Sequence, residues 1–240
     1  DREAFQEMDY RQVFGQMAKW VAQIDDVTRI PEYLSRAWKV AMSGRPGPVV
    51  LALPEDMLSD VASVVDLIPT PLPKPAPAPQ SIQDLGTLLA KAKAPMMLVG
   101  GPGWSREIGQ KAMAFAARTG LPVATSFRCQ DYVDNDHPNY VGVVGIAPLP
   151  KLRKRIAEEI DLLIVVGSRL GEMTTQGYSL IDIPTPQMDF VHIHPGAEEL
   201  GHVYNPTLSI ASAPDTFFDA LDALPDGNGQ TTRADWISEQ

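Results

Sequence analysis

Six prolines occupy alternate positions from Pro69 to Pro79, separated only by Thr70, Leu72, Lys74, Ala76 and Ala78. Proline lacks a backbone N–H and pushes the residue before it toward extended geometry, so neither a helix nor a central strand survives such a run. The segment is expected to be a semi-rigid polyproline-II spacer rising about 3.1 Å per residue, able to span roughly 30 Å. With 22 prolines in 240 residues, against a usual share of about 5%, proline is the compositional outlier. The run divides the chain into parts whose patterns differ.

Upstream, residues 10–24 read as a helix with Tyr10, Phe14, Met17, Ala18 and Val21 on one face. A second helix is expected from Pro31 to about Ser43. Pro31 suits its first turn, Leu34, Ala37, Trp38, Ala41 and Met42 form its apolar stripe, and Gly44 is placed to end it. The turn Arg45-Pro46-Gly47-Pro48 then leads into the apolar run Val49-Val50-Leu51-Ala52-Leu53, which Pro54 stops. One clear strand in residues 1–60 is too little for an independent α/β domain, so this part reads as the end of one, with apolar faces such as Leu34, Trp38 and Met42 short of cover. Self-association or local disorder before about residue 60 is the expected consequence.

Downstream, residues 81–224 alternate. Ser81, with Asp84 three residues on, is expected to cap a helix carrying Ile82, Leu85, Leu88 and Leu89. Met96 to Val99 is a strand, Ser105 to Thr119 a helix ended by Gly120, and Leu121 to Thr125 a strand. Leu152 to Ile160 is a helix, Leu162 to Val166, Phe190 to His194 and Leu208 to Ala211 are strands, and a last helix carries Phe217, Phe218 and Leu221. Apolar strands alternating with helices predict an α/β fold, a doubly wound Rossmann-like parallel sheet, preceded by a partial α/β segment. Residues 61–80 are the linker, and the polar, turn-forming 225–240 read as a second one.

The formal charge of −10 (20 Lys+Arg against 30 Asp+Glu) repels polyanions and makes nucleic acid and anionic membrane poor partners. The lone Cys129 forms no internal disulfide, and no apolar run approaches the ~18 residues of a membrane span. A cytoplasmic location is expected. The chain opens Asp1-Arg2-Glu3 without a signal-like segment, which suggests a piece of something longer.

The strand–glycine–helix unit at 96–119 has the shape of a nucleotide site. Gly100, Gly101 and Gly103 would let backbone approach a pyrophosphate at the positive end of the next helix. The third glycine of the full dinucleotide fingerprint is replaced by Arg106, so a tight turn without ligand remains an equal reading. A second glycine turn, Gly167-Ser168-Arg169, follows strand 162–166, where hydroxyl and guanidinium could meet phosphate. His192 and His194 share a strand face, as zinc ligands can, but no cysteine or carboxylate nearby completes a site, so structural histidines are expected. The basic run Lys151, Arg153, Lys154 and Arg155 reads as a solvated face with Glu158 and Glu159 as partners. Asp226-Gly227-Asn228 lacks a preceding apolar strand and reads as a turn, and Cys129 has no obvious base beside it.

Larger blocks carry a resemblance. Ala4-Phe5-Gln6-Glu7, Lys19-Trp20, Arg29-Ile30-Pro31-Glu32 and above all the run from Ser43 through Gly44-Arg45-Pro46-Gly47-Pro48 to Pro54-Glu55-Asp56 are similar to the closing part of the pyrimidine-binding domain of thiamine-diphosphate-dependent enzymes of the acetolactate synthase type. Val99-Gly100-Gly101, Ala124-Thr125-Ser126, His137 to Gly142, Asp161 to Leu170 and Val191-His192-Ile193-His194-Pro195 resemble that family's central domain in order and spacing. The likeness covers residues 3 to 224. Two stretches depart from acetolactate synthases: Glu55 stands where they resemble P-K-D, and Gly167-Ser168-Arg169-Leu170-Gly171-Glu172-Met173 stands for a G-A-R-F-D-D-R run that serves FAD.

The resemblance implies a larger enzyme, a homo-dimer or homo-tetramer, that uses thiamine diphosphate and magnesium (Mg2+) to decarboxylate a small 2-oxo acid or to join its carbanion to a second carbonyl. Residues 1–60 would be the end of the pyrimidine-binding domain and 81–224 the central domain, with 225–240 leading to a third. In relatives the pyrimidine-activating glutamate and the metal-binding G-D-G motif lie in regions without counterpart here, which implies a fragment inactive by itself. Phe5 and Gln6 map onto active-site-lining positions. Gly100, Gly101, Gly103, Ser126, Gly167, Ser168 and Arg169 are the nucleotide-site candidates, with FAD, ADP or nothing as occupant, and His194 stands where an acid often meets the nucleotide. The alternative from a different class is a stand-alone nucleotide-binding or regulatory module.

Overall fold

A computed structural model describes residues 4, 5 and 7–225. The chain divides into two units, Asp1–Pro73 and Lys74–Gln240, so the division falls inside the proline run.

In the first unit, helix α1 (Tyr10–Phe14), strand β1 (Trp20–Gln23), helix α2 (Ile30–Met42), strand β2 (Val49–Ala52) and a single turn α3 (Glu55–Leu58) follow one another. The single helix expected over 10–24 is therefore a five-residue helix and a strand. Asp9 caps α1 by accepting from the Arg11 and Gln12 N–H groups, and the helix stops at Gly15. Trp20-Val21-Ala22-Gln23 then pairs in parallel with Val49–Ala52. Aromatic and β-branched residues beside an available strand edge favour the ladder over an isolated helix. Trp20 stacks on Tyr33 of α2 at 5.8 Å, and the Arg36 guanidinium sits 4.3 Å above the indole ring. The same helix leaves Leu34, Trp38 and Met42 at 55%, 65% and 46% exposure.

The second unit is built on six strands: β3 (Pro95–Val99), β4 (Val123–Ser126), β5 (Tyr140–Val144), β6 (Leu162–Val166), β7 (Asp189–His194) and β8 (Leu208–Ala211). They form one sheet in the order β5-β4-β3-β6-β7-β8, every neighbouring pair parallel. This is the doubly wound order, with its switch point between β3 and β6. Helices α4 (Pro79–Lys91), α5 (Arg106–Thr119), α6 (Pro150–Glu158) and α7 (Pro214–Ala220) accompany it. Alternation along the strands sorts two cores. Met97, Val99, Ile164, Val166, Val191 and Ile193 face Leu85, Ile108, Ala112, Phe217 and Phe218. Met96, Leu98, Leu163, Val165 and Phe190 face Leu152, Ile156, Leu170 and Leu180. Both faces being covered explains why the strands read as continuous apolar runs.

Helix α5 follows its sequence signals: the Ser105 hydroxyl accepts from the Ile108 N–H and Gly120 ends the helix at φ 72°. Helix α4 does not. It starts at Pro79 with Ala78 as its N-cap and no side-chain cap, because a proline in the first turn lacks only an N–H that would be orphaned anyway. The Pro75 carbonyl accepts from the Ala213 N–H and the Thr216 hydroxyl, and Lys74 pairs with Asp215, which anchors the end of the proline run to α7. The Asp161 carboxylate accepts from the Lys93 and Ala94 N–H groups, tying the entries of β3 and β6. Among the described residues no helix is long and apolar enough to cross a membrane.

Candidate functional site

In doubly wound sheets ligands bind beyond the carboxyl ends of the strands, at the switch point. Here that is where β3 runs into Gly100-Gly101 and β6 into Gly167-Ser168. Both turns need glycine, but for contact with each other. Gly101 (φ 75°) and Gly167 (φ 80°) are left-handed, and a Cβ on Gly101 would lie 2.5 Å from the Gly167 carbonyl carbon and closer still to its oxygen. A Cβ on Gly100 would lie 2.8 Å from Ser126 Cβ. The structure thus brings Gly100, Gly101, Ser126, Gly167 and Ser168 together as one packed joint. Gly103 is exposed, and a Cβ there would meet only the Pro214 ring, at 3.6 Å. Arg169 is also exposed and makes a loose 3.9 Å ion pair with Glu199. Phe5 is 93% exposed, and Gln6 lies outside the described residues, as does Asp226-Gly227-Asn228.

Two residues that sequence reasoning passes over complete the joint. Trp104 Nε1–H donates to the Gly100 carbonyl at 2.8 Å, and the Tyr132 hydroxyl donates to the Gly101 carbonyl at 2.8 Å. The two rings stack at 5.4 Å, and Trp104 meets Phe218 edge-on at 5.8 Å. Trp104 directly follows Gly-Pro-Gly in the chain, a signal that sequence alone carries; Tyr132 has none. Burial, followed by the nearby Cys129, pushes the Tyr132 phenol up to about 12. Cys129 itself is buried.

His192 and His194 lie on the sheet's second face. His192 Nε2 lies 2.9 Å from the Ser168 carbonyl, which can only accept. Burial holds its pKa at about 4, so the ring is neutral at neutral pH. His194 is fully buried; its Nδ1 takes the Gly196 N–H at 2.9 Å and its Nε2 has no partner. Among the described residues no group of His, Cys, Asp or Glu is arranged to hold a metal. The basic run on α6 has Arg155 in an ion pair with Glu159 at 3.5 Å.

In the first unit a cleft of about 780 Å³ is lined by Ala4, Glu7, Asp9, Arg11, Gln23 and Asp25. Gln23 ends β1, and Ala52, which ends β2, also borders the cleft, so it too lies at the carboxyl ends of parallel strands.

Comparison with known proteins gives a consistent result. The family model described as thiamine pyrophosphate enzyme, central domain, matches residues 82–221. The acetolactate synthase large subunit of Corynebacterium glutamicum is 28% identical over 207 residues, covering 84% of this chain and 32% of its own. The isozyme 2 large subunit of Escherichia coli is 31% identical over 173 residues, covering 72% and 31%, and a glyoxylate carboligase of the same species is 25% identical over 213 residues, covering 88% and 35%. The crystal structure of benzoylformate decarboxylase from Polynucleobacter necessarius matches with a TM-score of 0.70 over 90% of this chain and 40% of that one, at 21% identity, a likeness of fold. The chain spans about a third of the length of the curated relatives it matches.

Proposed function

The chain belongs to the thiamine pyrophosphate enzyme family through its central domain, and from that premise we propose that it is part of an enzyme that uses thiamine diphosphate and Mg2+ to decarboxylate a small 2-oxo acid or to join the resulting carbanion to a second carbonyl. The observation that carries this reading is the family match over 82–221 on a sheet of doubly wound order. Residues 1–60 supply the end of the pyrimidine-binding domain, 61–80 the connection, 81–224 the central domain and 225–240 the lead to a third. The central domain acts as scaffold. Phe5 and Gln6, which in sequence fall between the cleft residues Ala4 and Glu7, line the reaction site.

Thiamine diphosphate supplies the electron sink; this chain's own part is to shape and dry one wall of the site. The acid Glu55, in place of the lysine of acetolactate synthases, supports a different acceptor or plain decarboxylation. The exposed Leu34, Trp38 and Met42 face supports a homo-oligomer, and a cytoplasmic enzyme fits the single cysteine. The test is to assay the parent polypeptide against a panel of 2-oxo acids with and without thiamine diphosphate, and residues 1–240 in parallel. Turnover that requires thiamine diphosphate in the parent and is absent from 1–240 is expected. Turnover by 1–240 alone, or none by the parent with any 2-oxo acid, refutes the proposal.

A further inference from the structure

We infer that the switch-point crevice of the central domain is a closed structural joint, sealed by the Trp104 indole and the Tyr132 phenol, and takes neither FAD nor ADP. The proposed function enters only in selecting which nucleotides to test; the geometry stands without it.

A dinucleotide at a switch point needs free N–H groups in the glycine turns and room above them. At Gly100 and Gly167 neither requirement is met. The Gly100 N–H donates to the Val166 carbonyl at 3.0 Å and the Gly167 N–H to the Ile193 carbonyl at 2.8 Å, so both extend the sheet ladder instead of facing a ligand. The turns touch, since a methyl on Gly101 would meet the Gly167 carbonyl and a methyl on Gly167 would meet the Gly100 carbonyl. Over them lies the indole. Its Nε1 would be 3.2 Å from a Cβ on Gly167 while it donates to the Gly100 carbonyl, and Tyr132 closes the Gly101 side. At the ribose end no carboxylate takes the place of His194, whose Nδ1 is engaged by Gly196 and whose Nε2 is sealed from solvent. Glu199 lies 3.9 Å from the Arg169 guanidinium.

Thermal denaturation of the 240-residue chain, followed by far-UV circular dichroism with ADP, FAD or indole at millimolar concentration, tests this. The wild-type Tm is expected to be unmoved by all three. Trp104→Ala is expected to melt lower and to be raised by indole, which refills the vacated space, as apolar cavities accept apolar guests. A rise of the wild-type Tm with ADP or FAD, about 5–10 °C for a ligand at ~100-fold its Kd, together with protection of amides 100–104 and 167–170 from hydrogen exchange, overturns the inference. A rise with protection confined to other residues leaves the joint closed and supports it. Failure of indole to raise the Tm of folded Trp104→Ala also overturns it. If that variant does not fold, Trp104→Phe keeps a ring without the N–H and is expected to fold and to ignore both nucleotides; a nucleotide response there overturns the inference equally. Loss of thiamine-dependent turnover in the parent enzyme would bear on the proposed function and not on these outcomes.

Discussion

Substituting Gly101 by alanine separates backbone strain from steric contact at the joint. Gly101 sits at φ 75°, and its added Cβ would stand 2.5 Å from the Gly167 carbonyl carbon. The left-handed backbone alone costs an L-residue ~1–2 kcal/mol. The overlap is with backbone, not with the movable end of a side chain, so β3 and β6 must shift apart at their carboxyl ends, which by analogy with overpacked cores costs a further ~1–3 kcal/mol. The sum, ~2–5 kcal/mol, is a large fraction of the ~5–15 kcal/mol that holds a typical domain. Gly177 is the internal control: its φ is 70°, yet a Cβ there meets nothing within 4 Å, so Gly177→Ala bears only the backbone part. Urea denaturation of both variants gives the contact contribution as the difference between them. Equal losses for Gly101→Ala and Gly177→Ala would refute the claim that the two glycine turns are packed on each other.

Three other outcomes follow from named contacts. The buried Asn139 amide donates to the Ala116 and Leu121 carbonyls at 3.1 and 2.9 Å; the Ala116 carbonyl also accepts from the Gly120 and Leu121 N–H groups, so Asn139→Ala should lose ~2 kcal/mol in the same assay, chiefly by taking the donor from the Leu121 carbonyl. His192 protonates at about 4 in the fold against 6.5 for an ordinary imidazole; the unfolded chain takes the proton first, so stability is whole above about pH 6.5 and falls by ~3 kcal/mol as pH drops toward 4. His194 is shifted the same way by burial, so urea midpoints at about pH 7 and about pH 5 should differ strongly in the wild type and less in His192→Asn. Trp38, 65% exposed on α2 between Leu34 and Met42, should mediate self-association, and Trp38→Glu should lower the mass seen by light scattering without a change in circular dichroism.

The central domain is legible in the sequence because its strands are buried on both faces. Leu162–Val166 has no polar residue to blur its ends, and α5 carries both a Ser105 cap and a Gly120 stop. Tyr140–Val144 escapes such a reading because Gly142, at φ 123°, interrupts an otherwise strand-like apolar run, and its ladder with β4 shifts register at Val123/Ala124. Trp20–Gln23 reads as helix because its partner, Val49–Ala52, lies nearly thirty residues on and local periodicity cannot report a ladder that distant. Of the nucleotide-site candidates, Gly100, Gly101, Ser126, Gly167 and Ser168 do converge, while Arg169 and Gly103 are exposed.

The convergence is what makes the glycine turns ambiguous. A phosphate cradle and a loop-to-loop joint both require backbone without Cβ at the carboxyl ends of adjacent parallel strands, so the glycines alone are common to both. What distinguishes them is the direction of the polar groups. In a cradle the N–H groups are free and aimed at the anion; here the Gly100 and Gly167 N–H groups continue the ladders to β6 and β7. The carbonyls of Gly100 and Gly101, which would repel a phosphate, are each met by a donor from an aromatic side chain, Trp104 for Gly100 and Tyr132 for Gly101. A buried carbonyl left without a donor costs ~1–3 kcal/mol; Gly100 is buried and Gly101 half-buried, so the indole N–H stabilises the joint by about that much and the phenol by less. The same two side chains that satisfy the turn therefore exclude the ligand that its glycines would otherwise suggest.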